Sequence, residues 1–228
     1  MNRFSMAVSA RTAVIPDIKC VSPKEGDLLR GRCPIETAQA LVSWGAPVLS
    51  VVTESEHFGG SLALLRRIAE QTGVPVLRKD FITTYEQLEE SLQLGASAVL
   101  LIAASADENT LTMLYESALR LGLEPLVEVC TAEEMARAKT LGAKLIGINN
   151  RNITTLELDE GGPARTSRLA PLAPGNALLI SESGILSAED AKQAVRAGAQ
   201  AVLVGTALWQ AEDMGAMYQQ LREAVCGV

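Results

Sequence analysis

Leu141-Gly142-Ala143-Lys144-Leu145-Ile146-Gly147-Ile148-Asn149 contains a helix stop, a buried strand and a polar strand end in direct succession. Gly142 can close the preceding helix because the left-handed closing position favours a residue without a Cβ. Lys144–Ile148 is then apolar without the alternation of a half-exposed strand, as expected of a strand covered on both faces of a parallel sheet. Asn149 ends the run with an amide. The same helix-to-strand joint recurs as Trp44-Gly45-Ala46, Leu94-Gly95-Ala96 and Ala197-Gly198-Ala199, at intervals of about fifty residues.

Working outward, equivalent apolar runs occur at Val14–Ile18, Val48–Val52, Val74–Leu77, Ala98–Ile102, Pro125–Val129, Lys144–Ile148, Ala177–Ile180 and Ala201–Val204. Amphipathic stretches lie between them, among them Glu86–Leu94, Ala132–Leu141 and Ala188–Ala197. In the first of these, Leu88, Leu92 and Leu94 are expected on the core side, with Glu86, Glu89, Glu90 and Gln93 in water. Gly45, Gly73, Gly95, Gly122, Gly142 and Gly198 supply the helix stops. Eight strands alternating with helices exceed the five or six of an ordinary open doubly wound sheet, so the pattern predicts a closed (β/α)8 TIM barrel. No linker or composition shift divides the chain, and one domain over residues 1–228 is expected.

The chain has 228 residues, 48% of them hydrophobic and 21% charged, with no apolar run long enough to cross a membrane. Its formal net charge of −7 disfavours nucleic acid as a partner, because phosphate backbones select basic faces. Cys20, Cys33, Cys130 and Cys226 are scattered, without metal-type spacing, and Met1–Arg11 lacks the apolar core of a secretory signal. A reducing, cytoplasmic setting is predicted. His57 is expected at the surface without a catalytic role, and Trp44 and Trp209 as packing residues.

In such a barrel the active site lies at the C-terminal ends of the strands. Those ends carry Asp17 and Lys19, Lys79 and Asp80, Glu128, Asn149 and Arg151, and Ser181 and Ser183. Side chains alternate along a strand, so Asp17 and Lys19 share one face while Ile18 takes the other. Acids and amines gathered at one mouth perturb one another's proton affinity and can divide general-acid and general-base duties. Ser183-Gly184 after the seventh strand and Gly205-Thr206 after the eighth place small residues where backbone N–H groups reach an anion, which predicts a phosphate site.

Over Val14–Leu208 the chain resembles the indole-3-glycerol-phosphate synthase family of tryptophan biosynthesis. Asp17-Ile18-Lys19 with Ser22-Pro23 is similar to the family's Glu-x-Lys-x-x-Ser-Pro opening, and Val52-Thr53-Glu54 with Phe58, Gly60 and Ser61 to its second-strand signature. Arg78-Lys79-Asp80-Phe81, Leu126-Val127-Glu128-Val129, Gly147-Ile148-Asn149-Asn150-Arg151-Asn152 and Glu182-Ser183-Gly184-Ile185 resemble four further family motifs in the family's order.

The resemblance implies a lyase that cyclises 1-(2-carboxyphenylamino)-1-deoxyribulose 5-phosphate to indole-3-glycerol phosphate, releasing carbon dioxide and water, with no metal or organic cofactor. It implies Lys79 as the general acid on the ribulose carbonyl, and Lys19 as the group holding the departing carboxylate or assisting dehydration. Glu128 would be the acid/base partner, and Asp17, Asn149 and Ser183 would complete the catalytic set. Ser22, Phe58, Phe81, Arg151 and Glu182 would bind the substrate, and Gly184, Gly205 and Thr206 its phosphate.

The chain departs from the family pattern in three ways. With its first strand expected near Val14, it is expected to be without the additional N-terminal helical segment that covers the mouth in the family; it has Asp17 in place of Glu, and it has Cys20 where a basic residue is usual, with Glu25 close by. A cover could come from another chain, through a protein partner or self-association completing the open mouth, from a rearranged Met1–Arg11, or from nothing. Two alternatives accompany the synthase reading: a paralogue acting on a related aminodeoxyribulose phosphate or on indole-glycerol phosphate, and a non-catalytic barrel that binds a partner.

Overall fold

The computed structural model describes residues 3–9, 13–151 and 161–227. Eight parallel strands close into a barrel: β1 (Ala13–Ile18), β2 (Leu49–Val52), β3 (Val76–Lys79), β4 (Ala98–Ile102), β5 (Glu124–Val129), β6 (Leu145–Asn149), β7 (Leu178–Glu182) and β8 (Ala201–Val204). Each pairs with its sequence neighbours, and β1 closes the ring by pairing with both β2 and β8. All eight predicted strands are present, each shifted by no more than two residues at its start or end.

Strand alternation divides these apolar runs into two layers. Ala13, Ile15, Leu77, Leu100, Leu126, Ile180 and Leu203 fill the barrel, whereas Val14, Ile18, Val51, Val99, Val127, Ile146 and Val202 join the layer beneath the helices. Both layers are dry. A Leu100→Ala substitution inside the barrel would remove about 2–5 kcal/mol, through lost transfer energy and the cavity it leaves.

Outside the sheet lie α1 (Arg3–Ser9), α2 (Pro34–Ser43), α3 (Leu62–Thr72), α4 (Tyr85–Gln93), α5 (Glu108–Leu121), α6 (Ala132–Thr140), α7 (Ala164–Leu169), α8 (Ala188–Arg196), α9 (Thr206–Gln210) and α10 (Met214–Cys226). Local sequence fixes several of their starts. Ser61, Thr84, Asp107, Thr131, Ser187 and Asp213 each accept a hydrogen bond from a first-turn N–H, and Thr84 with Gln87 forms a reciprocal capping box. The six predicted stop glycines all have positive φ.

In α4 the expected apolar face is realised at two of its three positions. Leu88 and Leu94 are buried, but Leu92 is exposed, and the buried position beside Leu88 is Ser91. Arg78 is the reason. It lies on the helix-facing side of β3, 2% exposed, and its guanidinium donates to Ser91 Oγ (3.1 Å), Glu90 Oε2 (2.9 Å) and the Gln87 carbonyl (3.2 Å). A buried cation needs such partners, so Glu90 turns inward instead of lying wholly in water.

Helix α1 seals the end of the barrel opposite the mouth. Phe4 and Val8 are fully buried against the interior side chains at the strand starts. Glu124, the first residue of β5, accepts hydrogen bonds from the Phe4 N–H (2.8 Å) and the Ser5 N–H (3.1 Å). The described part of Met1–Arg11 is therefore a plug for the base and does not cover the mouth; Met1, Asn2, Ala10 and Arg11 lie outside the described residues.

Candidate active site

The strand ends form a mouth with two unlike compartments. An apolar compartment is lined by Val52, Phe58, Phe81, Leu100 and Ile102, with Glu54, Asp80 and Glu128 also at its wall. A polar compartment is lined by Asp17, Arg151, Ser183, Gly184, Gly205 and Thr206, with Ile185, Leu186 and Leu203. Lys19 and Lys79 line both. The two ammonium groups therefore stand on the seam between a dry surface and a hydrogen-bonding one.

Lys79 Nζ lies 3.6 Å from Glu182 Oε2, and the Glu182 side chain is wholly buried. A Cβ on Gly147 would overlap Glu182 Oε1, so β6 needs a glycine there for the carboxylate to reach across the barrel. Lys19 Nζ stands 5.6 Å from the Phe58 ring centroid, within cation–π range. Glu128 is 1% exposed. In a site this dry each charge acts through a lower effective dielectric than in water.

Asp17 faces the polar compartment, as the alternation with Ile18 requires. Its Oδ1 accepts a hydrogen bond from Ser50 Oγ at 2.7 Å, and its backbone carbonyl accepts one from the Trp209 indole at 2.9 Å. Trp209 is thus more than packing, since it ties α9 to the end of β1. Asn149 Oδ1 accepts from the Arg151 N–H at 2.9 Å. Among the described residues, Asn149 Nδ2 and Arg151 Nε are buried donors without a hydrogen-bond partner. Buried donors of this kind suit an oxygen-rich ligand.

On the apolar side, Phe58 is held by a loop that Glu54 organises. The Glu54 carboxylate accepts hydrogen bonds from the N–H groups of Glu56 (2.9 Å), His57 (2.8 Å) and Phe58 (2.9 Å), and contacts His57 Nδ1 at 3.2 Å. Burial by itself would raise the Glu54 pKa, but the bonds from His57, Phe58 and Glu56 together bring it below the ordinary carboxylate value. His57 is half-buried and is engaged as a loop partner. Asp80 plays a similar part beside Phe81: it accepts from the Phe81 N–H (2.8 Å), Thr53 Oγ1 (2.6 Å) and Arg78 Nη2 (3.0 Å).

The structure brings Asp17, Lys19, Lys79, Glu128, Arg151, Ser183, Gly184, Gly205, Thr206, Phe58 and Phe81 to the two linings. Asn149 and Glu182 are fully buried and not part of either lining, although both are side chains of strand ends. Ser22 lies elsewhere. It sits in a two-armed hairpin (Val21–Ser22 with Gly26–Asp27), where its hydroxyl accepts from the Glu25 N–H at 3.4 Å. The hairpin is joined to the apolar side by the Val21 N–H donating to the Phe58 carbonyl at 3.0 Å. Glu25 faces α9, accepting from Gln210 Nε2 at 2.8 Å. The motif residue Asn152 lies outside the described residues.

A family model described as indole-3-glycerol phosphate synthase matches residues 2–221. The chain belongs to this family. It is 44% identical over 213 residues to an indole-3-glycerol phosphate synthase of Thermococcus kodakarensis, a match covering 93% of each chain. It is 43% identical to one from Pyrococcus furiosus, covering 94% of this chain and 93% of that protein. A synthase from a Nocardioides species is 44% identical, but the match covers only 76% of that longer protein. Synthases matched over nearly their whole length thus occur beside longer ones.

The solved structures of a thiamine phosphate pyrophosphorylase from Pyrococcus furiosus (TM-score 0.67, 16% identity, 96% of this chain and 97% of that one) and an orotidine 5'-phosphate decarboxylase from Pyrococcus horikoshii (TM-score 0.71, 15% identity, 94% and 100%) share the fold. At such identity the likeness concerns the barrel alone.

Sequence reasoning named Asp80 as a strand-end group but did not reach the role of Glu54, which needs the loop's geometry, or the pairing of Arg78 with Asp80, which fixes the strand end on either side of Lys79. One signal was present. A charged residue at Arg78, on the helix-facing side of an otherwise apolar strand, requires polar partners on the helix covering it. Asn150, in the position between two motif residues, was also passed over.

Proposed function

We propose that this protein catalyses the closure of 1-(2-carboxyphenylamino)-1-deoxyribulose 5-phosphate to indole-3-glycerol phosphate. The observation that carries the reading is the placement of Lys19 and Lys79 on the seam between an apolar and a polar compartment. This substrate has a matching division, with a benzoate ring at one end and a sugar phosphate at the other, and its reacting carbons in between.

The ring rests on the apolar side between Phe58, Phe81 and Leu100, with its carboxylate toward Lys19. The phosphate takes the N–H groups around Gly184 and Gly205, with Thr206 beside them. Held in this way, the ring carbon that bears the carboxylate lies against the ribulose carbonyl, and the encounter is intramolecular. As the new carbon–carbon bond forms, Lys79 delivers a proton to the carbonyl oxygen. The carboxylate then leaves as carbon dioxide, and its bonding electrons restore the aromatic ring. Lys19 stabilises the carboxylate until it departs. Once the carboxylate has gone, Lys19 gives a proton to the hydroxyl formed from the carbonyl, which leaves as water, and Glu128 accepts the proton given up by the neighbouring carbon as the double bond of the new ring forms.

Glu182 holds Lys79 by charge from below the seam, and Asp17, held by Ser50, borders the sugar side. Asn149 and Arg151 offer donors to the sugar hydroxyls or the phosphate. The reading extends to small phosphorylated substrates as the ligand class and to acid–base chemistry as the reaction class.

The decisive experiment is to incubate the purified chain with the carboxyphenylamino-deoxyribulose phosphate, following indole fluorescence and released carbon dioxide together. Equimolar appearance of the two is expected. A protein that binds the compound but releases neither would overturn the synthase assignment.

A further inference from the structure

Ser183 and Gly184 are consecutive left-handed residues, with φ of +61° and +67°. Glycine adopts that conformation freely, but a residue with a Cβ pays a steric cost for it. Among the described residues, Arg30 and Ser183 are the non-glycine positions with positive φ, and Ser183 is the one at the mouth. This turn lies in the lining of the polar compartment beside Gly205 and Thr206, the position of a barrel's phosphate site. A Cβ on Gly184 would overlap the Gly162 N, so the neighbouring loop presses on this turn from behind.

Asn150 braces Ser183 from behind. Its Nδ2 donates to the Ser183 carbonyl (3.2 Å), the Glu182 carbonyl (3.0 Å) and Ser181 Oγ (2.9 Å). Its Oδ1 accepts from the Thr166 N–H (3.0 Å) and Thr166 Oγ1 (2.9 Å), and its own N–H donates to the Glu182 carbonyl (2.8 Å). Asn150 is 3% exposed and lies outside both mouth linings. A buried amide with donors and acceptor all engaged has one orientation, and two of its bonds end on the backbone carbonyls of Glu182 and Ser183.

We infer that Asn150 is a positioning residue that holds Ser183 in its left-handed conformation, and so keeps the Ser183–Gly184 turn shaped for an anionic phosphate. The inference rests on the phosphate reading given above and adds the means by which that site is kept in shape. Asn150 touches no substrate. It acts through the φ angle of Ser183, so its effect should depend on whether residue 183 has a Cβ.

The test measures kcat, KM and competitive inhibition by inorganic phosphate for the unaltered enzyme, Asn150→Ala, Ser183→Gly and the double variant. Asn150→Ala is expected to raise KM and the phosphate inhibition constant about tenfold, the scale set by the steric cost of one left-handed residue. Its kcat should change far less. In the Ser183→Gly background the same substitution should have about threefold effect or less, because glycine needs no external hold.

Equal effects in the two backgrounds would overturn the inference, as would a loss confined to kcat. Failure of inorganic phosphate to compete with the unaltered enzyme would instead overturn the phosphate assignment on which it rests. If Asn150→Ala does not yield folded protein, Asn150→Ser takes its place, being polar but too short to reach all three partners.

Discussion

The two compartments of the mouth are built by opposite means. On the apolar side the surface is made of side chains, with Val52, Leu100 and Ile102 from the barrel and Phe58 and Phe81 from the loops after β2 and β3. The polar side includes two glycines, Gly184 and Gly205, which offer only backbone, and its Ser183–Gly184 turn is supported from behind by Asn150 and Gly162. Side-chain surfaces tolerate substitution of similar shape, because their contacts are spread over many atoms. A backbone surface depends on torsion angles, and one added methyl can close it. Lys19 and Lys79 belong to both sides, so damage at the seam should exceed damage to either compartment.

The seam supplies the largest expected effect. Lys79→Ala should lower kcat by about 10²–10⁴ with the fold intact, since a positioned general acid contributes on that scale. Stopped-flow single-turnover measurements together with circular dichroism would check this, and full turnover by the variant would remove Lys79 from its role. Next comes the polar side. Gly184→Ala places a Cβ against Gly162 at a left-handed position, and should raise KM by about tenfold or more while leaving thermal stability closer to normal than activity. Steady-state kinetics beside a melting curve would separate the two.

Damage to the apolar side should be milder and should show a pH signature. Glu54→Gln removes the charge that collects three loop N–H groups, at a cost of about 1 kcal/mol at neutral pH. The sign follows from the lowered carboxyl pKa. The stabilisation is complete above the unfolded-state value of about 4.3 and is lost as pH falls through the lower folded-state value. Denaturant midpoints of parent and variant should therefore differ at pH 7 and converge at acid pH. A gap that widened on acidification would contradict the role given to Glu54.

The smallest effect concerns Cys130, which follows the active-site strand β5. Burial first, then the charges of Glu128 and Glu134, push its thiol up to about 12, against an opposing pull from Arg165. With its thiol so far above the ordinary range, Cys130 should be alkylated far more slowly than the exposed Cys33. Mass spectrometry after timed iodoacetamide treatment would rank the thiols. Rapid labelling of Cys130 would show that the region behind β5 is wetter than the structure implies.

Much of the barrel was legible because its rules are local. Continuous apolar runs fix strands buried on two faces, glycines fix the helix stops, and Ser, Thr and Asp before amphipathic stretches fix the starts. The strand-end polar residues could be placed on one side of the molecule from order alone, and Lys19, Lys79, Glu128 and Arg151 do meet there. Leu92 could not be read correctly. Its helix owes one buried position to Ser91, which answers Arg78 from a different element, and helical periodicity carries no information about a partner thirteen residues away. The contact that Ser22 makes was also beyond local rules, because it depends on a hairpin of two-residue arms in which its hydroxyl accepts from the Glu25 N–H.

The sequence by itself determined the barrel, the side of it that carries the chemistry and the family to which that chemistry belongs, because periodicity and motif order are properties of the chain. Tertiary structure alone decided which end α1 closes, which of the buried acids reach the cavity surface and how Ser183 is kept left-handed. Each of those depends on groups distant in sequence, such as Glu124 with Phe4, Glu182 with Gly147, and Asn150 with Thr166 and Ser183. No local rule encodes such pairs; they exist only once the barrel has closed.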